Sequence, residues 1–103
     1  MAAYLIVLRQ EPLRDADSYA EYQKRTRANP PKVRGRPLVA NGAIQPLEGT
    51  APDAAVVFEF SSAEDARAWY ESEEYQQALP HRLKAANYQS FIVEGFQMPG
   101  AKT

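Results

Sequence analysis

The run Ala54-Ala55-Val56-Val57-Phe58-Glu59-Phe60, followed at once by Ser61-Ser62-Ala63-Glu64, decides how the rest of the chain is read. Seven positions with one charge, rich in β-formers, describe a strand whose two faces are both covered, since a half-exposed strand would alternate polar and apolar residues. The serine-to-glutamate spacing behind it is a capping box, in which the side chains at the first and fourth positions satisfy each other's backbone amides and start a helix. A central strand running directly into a helix is therefore the seed of the reading.

Working forward, Ala66, Trp69 and Tyr70 give that helix an apolar face, and Ser72 or its neighbours interrupt it. Tyr75, Leu79 and Leu83 recur every four residues with Pro80 among them, which predicts a short turn and then a new helical piece with Pro80 near its start. Phe91-Ile92-Val93 reads as a last strand, and 97–103 as a tail beyond a single domain of 1–96. Working backward, the Gly- and Pro-rich stretch from Lys32 to Asp53 holds Leu38-Val39-Ala40 and Ile44 to Leu47, read as two halves of a broken edge strand. Asn29-Pro30-Pro31 must stop a preceding helix, because proline lacks the amide donor and restricts the residue before it. Asp15 and Ser18 are competing N-caps of that helix, and Tyr19 and Tyr22 share one of its faces. Tyr4 to Leu8 is a second strand apolar at consecutive positions.

Strand, helix, strand, strand, helix, strand is the ferredoxin-like βαββαβ order, an α+β fold with a four-stranded antiparallel sheet. Two helices cover one sheet face. The first and third strands nevertheless carry apolar groups on both, so a homodimer that buries the open face of one copy against another is expected.

Composition narrows the function classes. Twelve basic and thirteen acidic residues leave a net charge of −1, so no global field draws the chain to nucleic acid or to an anionic membrane. The absence of cysteine removes disulfides, thiolate catalysis and zinc–thiolate or iron–sulfur sites, and fits a cytoplasmic setting. The opening Met-Ala-Ala-Tyr-Leu-Ile-Val-Leu lacks the basic segment and cleavage site of a signal peptide, and no apolar run approaches bilayer length. With one histidine and no ligand-like spacing of carboxylates, no metal site is expected.

The opening strand Tyr4-Leu5-Ile6-Val7, Leu47-Glu48-Gly49, Val56-Val57-Phe58-Glu59-Phe60, Arg82, Val93-Glu94-Gly95 and above all Ala66-Arg67-Ala68-Trp69-Tyr70-Glu71-Ser72-Glu73-Glu74-Tyr75 resemble the DUF1330 family of small bacterial proteins. The resemblance spans nearly the whole chain and implies a dimeric α/β barrel, a superfamily that also holds cofactor-free monooxygenases, isomerases and cyclases. It implies no agreed activity. Where relatives often carry Arg-Gly-Gly after the second strand, this chain has Ala40-Asn41-Gly42, which leaves Arg34 or Arg36 to replace that arginine toward an anionic ligand.

The candidate residues each carry a chemical and a structural reading. His81 is the one side chain that titrates near neutrality unperturbed, hence a general acid or base, or else a solvated residue at a helix start. Arg82 offers a planar fork to a carboxylate or enolate, or pairs with Glu71, Glu74 or Glu94. Glu59 and Glu94 interrupt apolar strands and are either bases or partners of an arginine such as Arg9. Trp69, Tyr75 and Tyr88 are core residues or the wall of an aromatic cleft; a helix break near Ser72 would let Trp69 and Tyr75 line it together, with Tyr75 or Tyr88 donating to an oxyanion. Asn41 and Arg36 complete the expected substrate-binding set. The expected function is a homodimer that binds a small aromatic or carboxylated metabolite and performs cofactor-free acid/base chemistry on it. The alternative is a ligand-binding or accessory protein without turnover.

Overall fold

A computed structural model describes residues 1–97. Its elements run β1 (Ala3–Arg9), α1 (Ala16–Ala28), β2 (Arg36–Ala40), β3 (Ala54–Phe60), α2 (Ala63–Glu71), α3 (Glu73–Ala85) and β4 (Tyr88–Glu94). The four strands form one antiparallel sheet in the order β2-β3-β1-β4, so the two strands richest in apolar residues take the centre. This is the ferredoxin-like arrangement expected from the element order. The tail assigned to 97–103 lies, after Gln97, outside the described residues.

Register sorts the side chains into two faces, because successive residues of a strand point to opposite sides. Leu5 opposite Phe58 and Ile92, and Val7 opposite Val56 and Ser90, face the helices. Leu5, Phe60 and Ala66 form the buried nucleus there, with Val7, Val33, Phe58, Trp69 and Ile92 packed against it. Gly35 sits so close to the Phe60 ring that a Cβ would lie 2.6 Å from its Cζ. The other face carries Tyr4, Ile6 and Leu8, paired with Glu59, Val57 and Ala55 on one side and Val93, Phe91 and Gln89 on the other. No helix of the described chain lies on it, and Val39, Phe91 and Val93 are 41, 40 and 44% exposed.

Helix boundaries follow local chemistry. Asp15 caps α1, accepting from the Ser18 amide at 3.0 Å and the Ser18 hydroxyl at 2.7 Å, so Ser18 serves as the cap's partner inside the helix. Hydrogen bonding to Ser18 holds the Asp15 carboxyl below its ordinary value. Ser72 separates α2 from α3 by acting on both: its hydroxyl donates to the Trp69 carbonyl at 2.7 Å and accepts from the Tyr75 amide at 3.2 Å.

Two expectations are corrected. Pro80 does not begin a new piece; α3 runs through it from Glu73 to Ala85. The missing amide costs one backbone bond on an exposed side, while Tyr75, Ala78, Leu79, Arg82 and Ala85 hold the opposite side of the same helix in the core. The edge strand also has no second half at 44–47, because Asn41 adopts a left-handed φ of 59° and its amide closes on the Ala55 carbonyl at 2.8 Å, turning the chain out of the ladder. No helix among the described residues is long and apolar enough to cross a membrane.

Candidate functional site

Packing α1 and α3 over one end of the sheet leaves a cavity between them. It encloses about 40 Å³, and about 430 Å³ of atom-free space when its mouth is counted. Arg9 at the end of β1, Ala54 at the start of β3, Tyr88 at the start of β4 and Asn41 just after β2 supply the sheet side of the wall. Tyr19 and Tyr22 come from α1, Trp69 from α2, and Tyr75 and Arg82 from α3.

The break at Ser72 is what assembles the aromatic wall. Trp69 and Tyr75 are too far around a straight helix to share a face, yet their ring centroids stand 4.3 Å apart across the joint. Tyr75 is 2% exposed, and its hydroxyl lies 2.9 Å from that of Tyr22, with the two rings edge to face. Burial pushes the Tyr22 phenol far above its ordinary range, and the Tyr75 hydroxyl beside it adds to the effect. Tyr88 is raised as well, by desolvation first and by Tyr19 second, with Arg9 and Arg82 pulling the other way. Both phenols are therefore neutral at physiological pH and present hydrogen-bond donors.

Arg82 is the site's least ordinary member. It is 3% exposed, stacked with its guanidinium carbon 4.5 Å from the Tyr88 ring centroid and 6.0 Å from that of Tyr22. None of the carboxylates considered from the sequence reaches it; its Nε and Nη1 are buried without a hydrogen-bond partner. A guanidinium keeps its charge in proteins, so this is an uncompensated buried cation. Arg9 differs, since its Nη2 pairs with Asp53 at 2.9 Å and the Tyr88 hydroxyl lies within its reach.

Of the residues singled out from sequence, Arg82, Tyr75, Trp69, Tyr88 and Asn41 thus meet at one cavity. His81 does not line it: it is half-buried on α3, beside Arg82 in sequence but turned a hundred degrees around the helix. Arg36 is exposed on the opposite sheet face, where it pairs with Glu59 at 2.7 Å. Glu59 also accepts from the Tyr4 hydroxyl at 3.3 Å, so its partners are Arg36 and Tyr4, and Arg9 is taken by Asp53. Sequence reasoning left Arg9, Tyr19 and Tyr22 out of the site. The shared helical face of the two tyrosines was a usable signal for them, whereas Arg9 at a strand end gave none. No group of three or more potential metal ligands occurs among the described residues.

A four-stranded 2-3-1-4 sheet with helices on one side and a partly aromatic cavity beneath them defines an α+β protein of ferredoxin-like fold. Within that class the chain belongs to the DUF1330 family, a domain of unknown function whose profile matches residues 2–96. Among solved structures it is similar to a protein of unknown function from Rhodopseudomonas palustris, at 16% identity and TM-score 0.71 over 94% of this chain and 84% of that one. It is also similar to a dimeric ferredoxin-like protein of unknown function from Thermobifida fusca, at 16% identity and TM-score 0.61 over 91% of each chain. An ethyl tert-butyl ether d (ethd) family protein from Bacillus halodurans matches at 17% identity and TM-score 0.60, over 93% of this chain and all of that one. These likenesses speak for the fold. No curated protein matches the chain.

Proposed function

We propose that this protein is a homodimer that binds one small, partly aromatic or carboxylated metabolite in the helix-side cavity of each subunit. The observation that carries the reading is Arg82, a charged side chain held in the core beside a cavity with two donors unused. Folding alone gives no reason to keep such a group, since a buried cation without a partner opposes stability. A ligand that supplies the missing acceptor does. Trp69 and Tyr75 then form its apolar wall, and Asn41 stands at the mouth.

The dimer is supported by the open sheet face, where Ile6, Leu8, Val57, Val39, Phe91 and Val93 make an apolar surface that water would wet at a cost. Structural relatives from Bacteroides fragilis and Thermobifida fusca are described as dimeric, which agrees with it. If the bound metabolite turns over, the groups in place suit cofactor-independent isomerisation, cyclisation or oxygenation: Arg82 holds a developing enolate while Tyr75, paired with Tyr22, gives or relays a proton. A second reading, binding without turnover, is favoured by the absence of any histidine or carboxylate from the cavity lining and by the raised phenols, which donate but do not act as bases at neutral pH. Sedimentation at micromolar concentration tests the dimer. A thermal-shift screen of small aromatic and carboxylated metabolites, followed by product analysis of each hit, separates the two readings: a binder raises the midpoint and leaves the compound unchanged. A monomer whose midpoint no compound moves would remove the proposal.

A further inference from the structure

The buried polar atoms left without a partner among the described residues are Arg9 Nε, Arg82 Nε, Arg82 Nη1 and Tyr88 Oη, and all of them belong to residues of one cavity wall. Native interiors leave few such atoms, and a cluster of them marks a missing partner. Of these, Arg9 and Tyr88 stand close enough to answer each other, the phenol oxygen accepting from the guanidinium and keeping its own proton to donate. The two Arg82 nitrogens, which can only donate, are the atoms still left without a partner. The missing partner is therefore an acceptor on every side.

Charge fixes it further. Two guanidiniums reach this wall, Arg9 and Arg82, and one carboxylate, Asp53, answers the first at 2.9 Å. The remaining lining residues are apolar side chains, tyrosines, Trp69 and Asn41, with no carboxylate and no further cation, so the pocket carries one uncompensated positive charge. A monoanion cancels it. A dianion would bring a second charge into a desolvated site with nothing to meet it, and a neutral molecule would leave Arg82 as it stands. Shape adds the last element: Trp69, Tyr75 and the Tyr88 ring under Arg82 present flat surfaces around a small volume.

Resting on the ligand-binding reading above, we infer that the cavity is a receptor for a small, flat monoanion, an unsaturated or aromatic monocarboxylate or its enolate equivalent. Its negative end takes the free donors of Arg82 and the Tyr88 hydroxyl, and its plane lies along Trp69. Arg82 is the recognition group; Arg9 is held by Asp53 and sets the charge balance.

The chain's single tryptophan stands in the cavity wall, so its fluorescence reports occupancy directly. The test titrates the full-length protein with crotonate and benzoate, with their neutral isosteres crotonamide and benzamide, and with the dianion phthalate. Amide NMR follows the arginine Nε–H resonances in parallel. Expected are a saturable Trp69 response to the monoanions, a shift of one Nε–H resonance that is missing in Arg82→Lys, and at least tenfold weaker binding of the amides and of phthalate. Tyr88→Phe, which keeps the ring beneath Arg82 and removes only the hydroxyl, should bind the monoanions severalfold more weakly. Amides that match the acids, or phthalate that exceeds benzoate, would overturn the monoanion assignment and leave the cavity as a ligand site. Probes that perturb neither Trp69 nor any Nε–H would overturn both.

Discussion

Replacing Arg82 with methionine is expected to make the unliganded protein more stable. In the free state Arg82 buries a charge and leaves Nε and Nη1 without acceptors, and each unsatisfied buried donor costs about 1–3 kcal/mol. Against this stands its stacking on the Tyr88 ring at 4.5 Å, worth about 1–2 kcal/mol for a desolvated cation over an aromatic face. Methionine fills a similar length of cavity wall with an apolar, adaptable chain. The two donors less the stacking leave a gain of roughly 0–5 kcal/mol, centred on the ~1–4 kcal/mol typical of buried ionic groups exchanged for apolar ones. For a domain of this size each kcal/mol gained raises the midpoint by about 4–8 °C. The assay is urea and thermal unfolding followed by far-UV circular dichroism, at one fixed protein concentration because the midpoint of the proposed dimer depends on concentration. The same variant should lose the monocarboxylate response, the usual exchange of stability against function at a site held in tension. A variant less stable than the wild type by more than about 1 kcal/mol would refute the reasoning, because it would mean that Arg82 is already satisfied by groups of the fold.

Gly35→Ala should destabilise by about 1–3 kcal/mol in the same urea assay, since its Cβ would fall 2.6 Å from Cζ of the buried Phe60 ring. Ser72→Ala removes the cap of α3 together with the bond to the Trp69 carbonyl, a loss of about 1 kcal/mol, and should change the Trp69 emission because the Trp69–Tyr75 contact depends on that joint. On the alkaline side, Tyr22 and Tyr88 have folded-state pKa values above their unfolded ones. The stability they contribute is complete below the unfolded value of about 10 and is lost as pH rises beyond it. Spectrophotometric titration should accordingly show Tyr22 and Tyr88 ionising late, together with unfolding. Free ionisation of Tyr22 and Tyr88 near pH 10, with the fold intact, would contradict their placement.

What the sequence by itself determined was every feature written in short-range pattern. Consecutive apolar residues at Tyr4–Leu8 and Ala54–Phe60 marked the two central strands, because a run of β-formers with so few charges fits the middle of a sheet better than its edge. Cap-forming residues marked helix starts to within a residue: Asp15 was one of two caps offered for α1, and the capping box read at Ser61–Glu64 gives way to Ser62 accepting from the Asp65 amide, because α2 starts one residue later. The break at Ser72, and with it the meeting of Trp69 and Tyr75, was legible for the same reason. Pro80 misled because a local rule met a stronger tertiary one: a helix face buried through Ala78, Leu79 and Arg82 outweighs one missing backbone bond.

Tertiary structure alone decided which charges distant in sequence meet, whereas Glu21–Arg25 and Arg67–Glu71 follow from helical spacing. Arg9 and Asp53 lie 44 residues apart in sequence, and Arg36 reaches Glu59 across a strand pair, so no spacing rule could assign them. The same holds for the site. Arg82 was a candidate from its residue type, but its being left without a carboxylate, beside Tyr88 and above Tyr22, follows from how α1 and α3 settle on the end of the sheet. Local pattern can place a cation on a helix. Whether that cation is answered or left waiting depends on the long-range contacts that exclude water and counter-charge from around it.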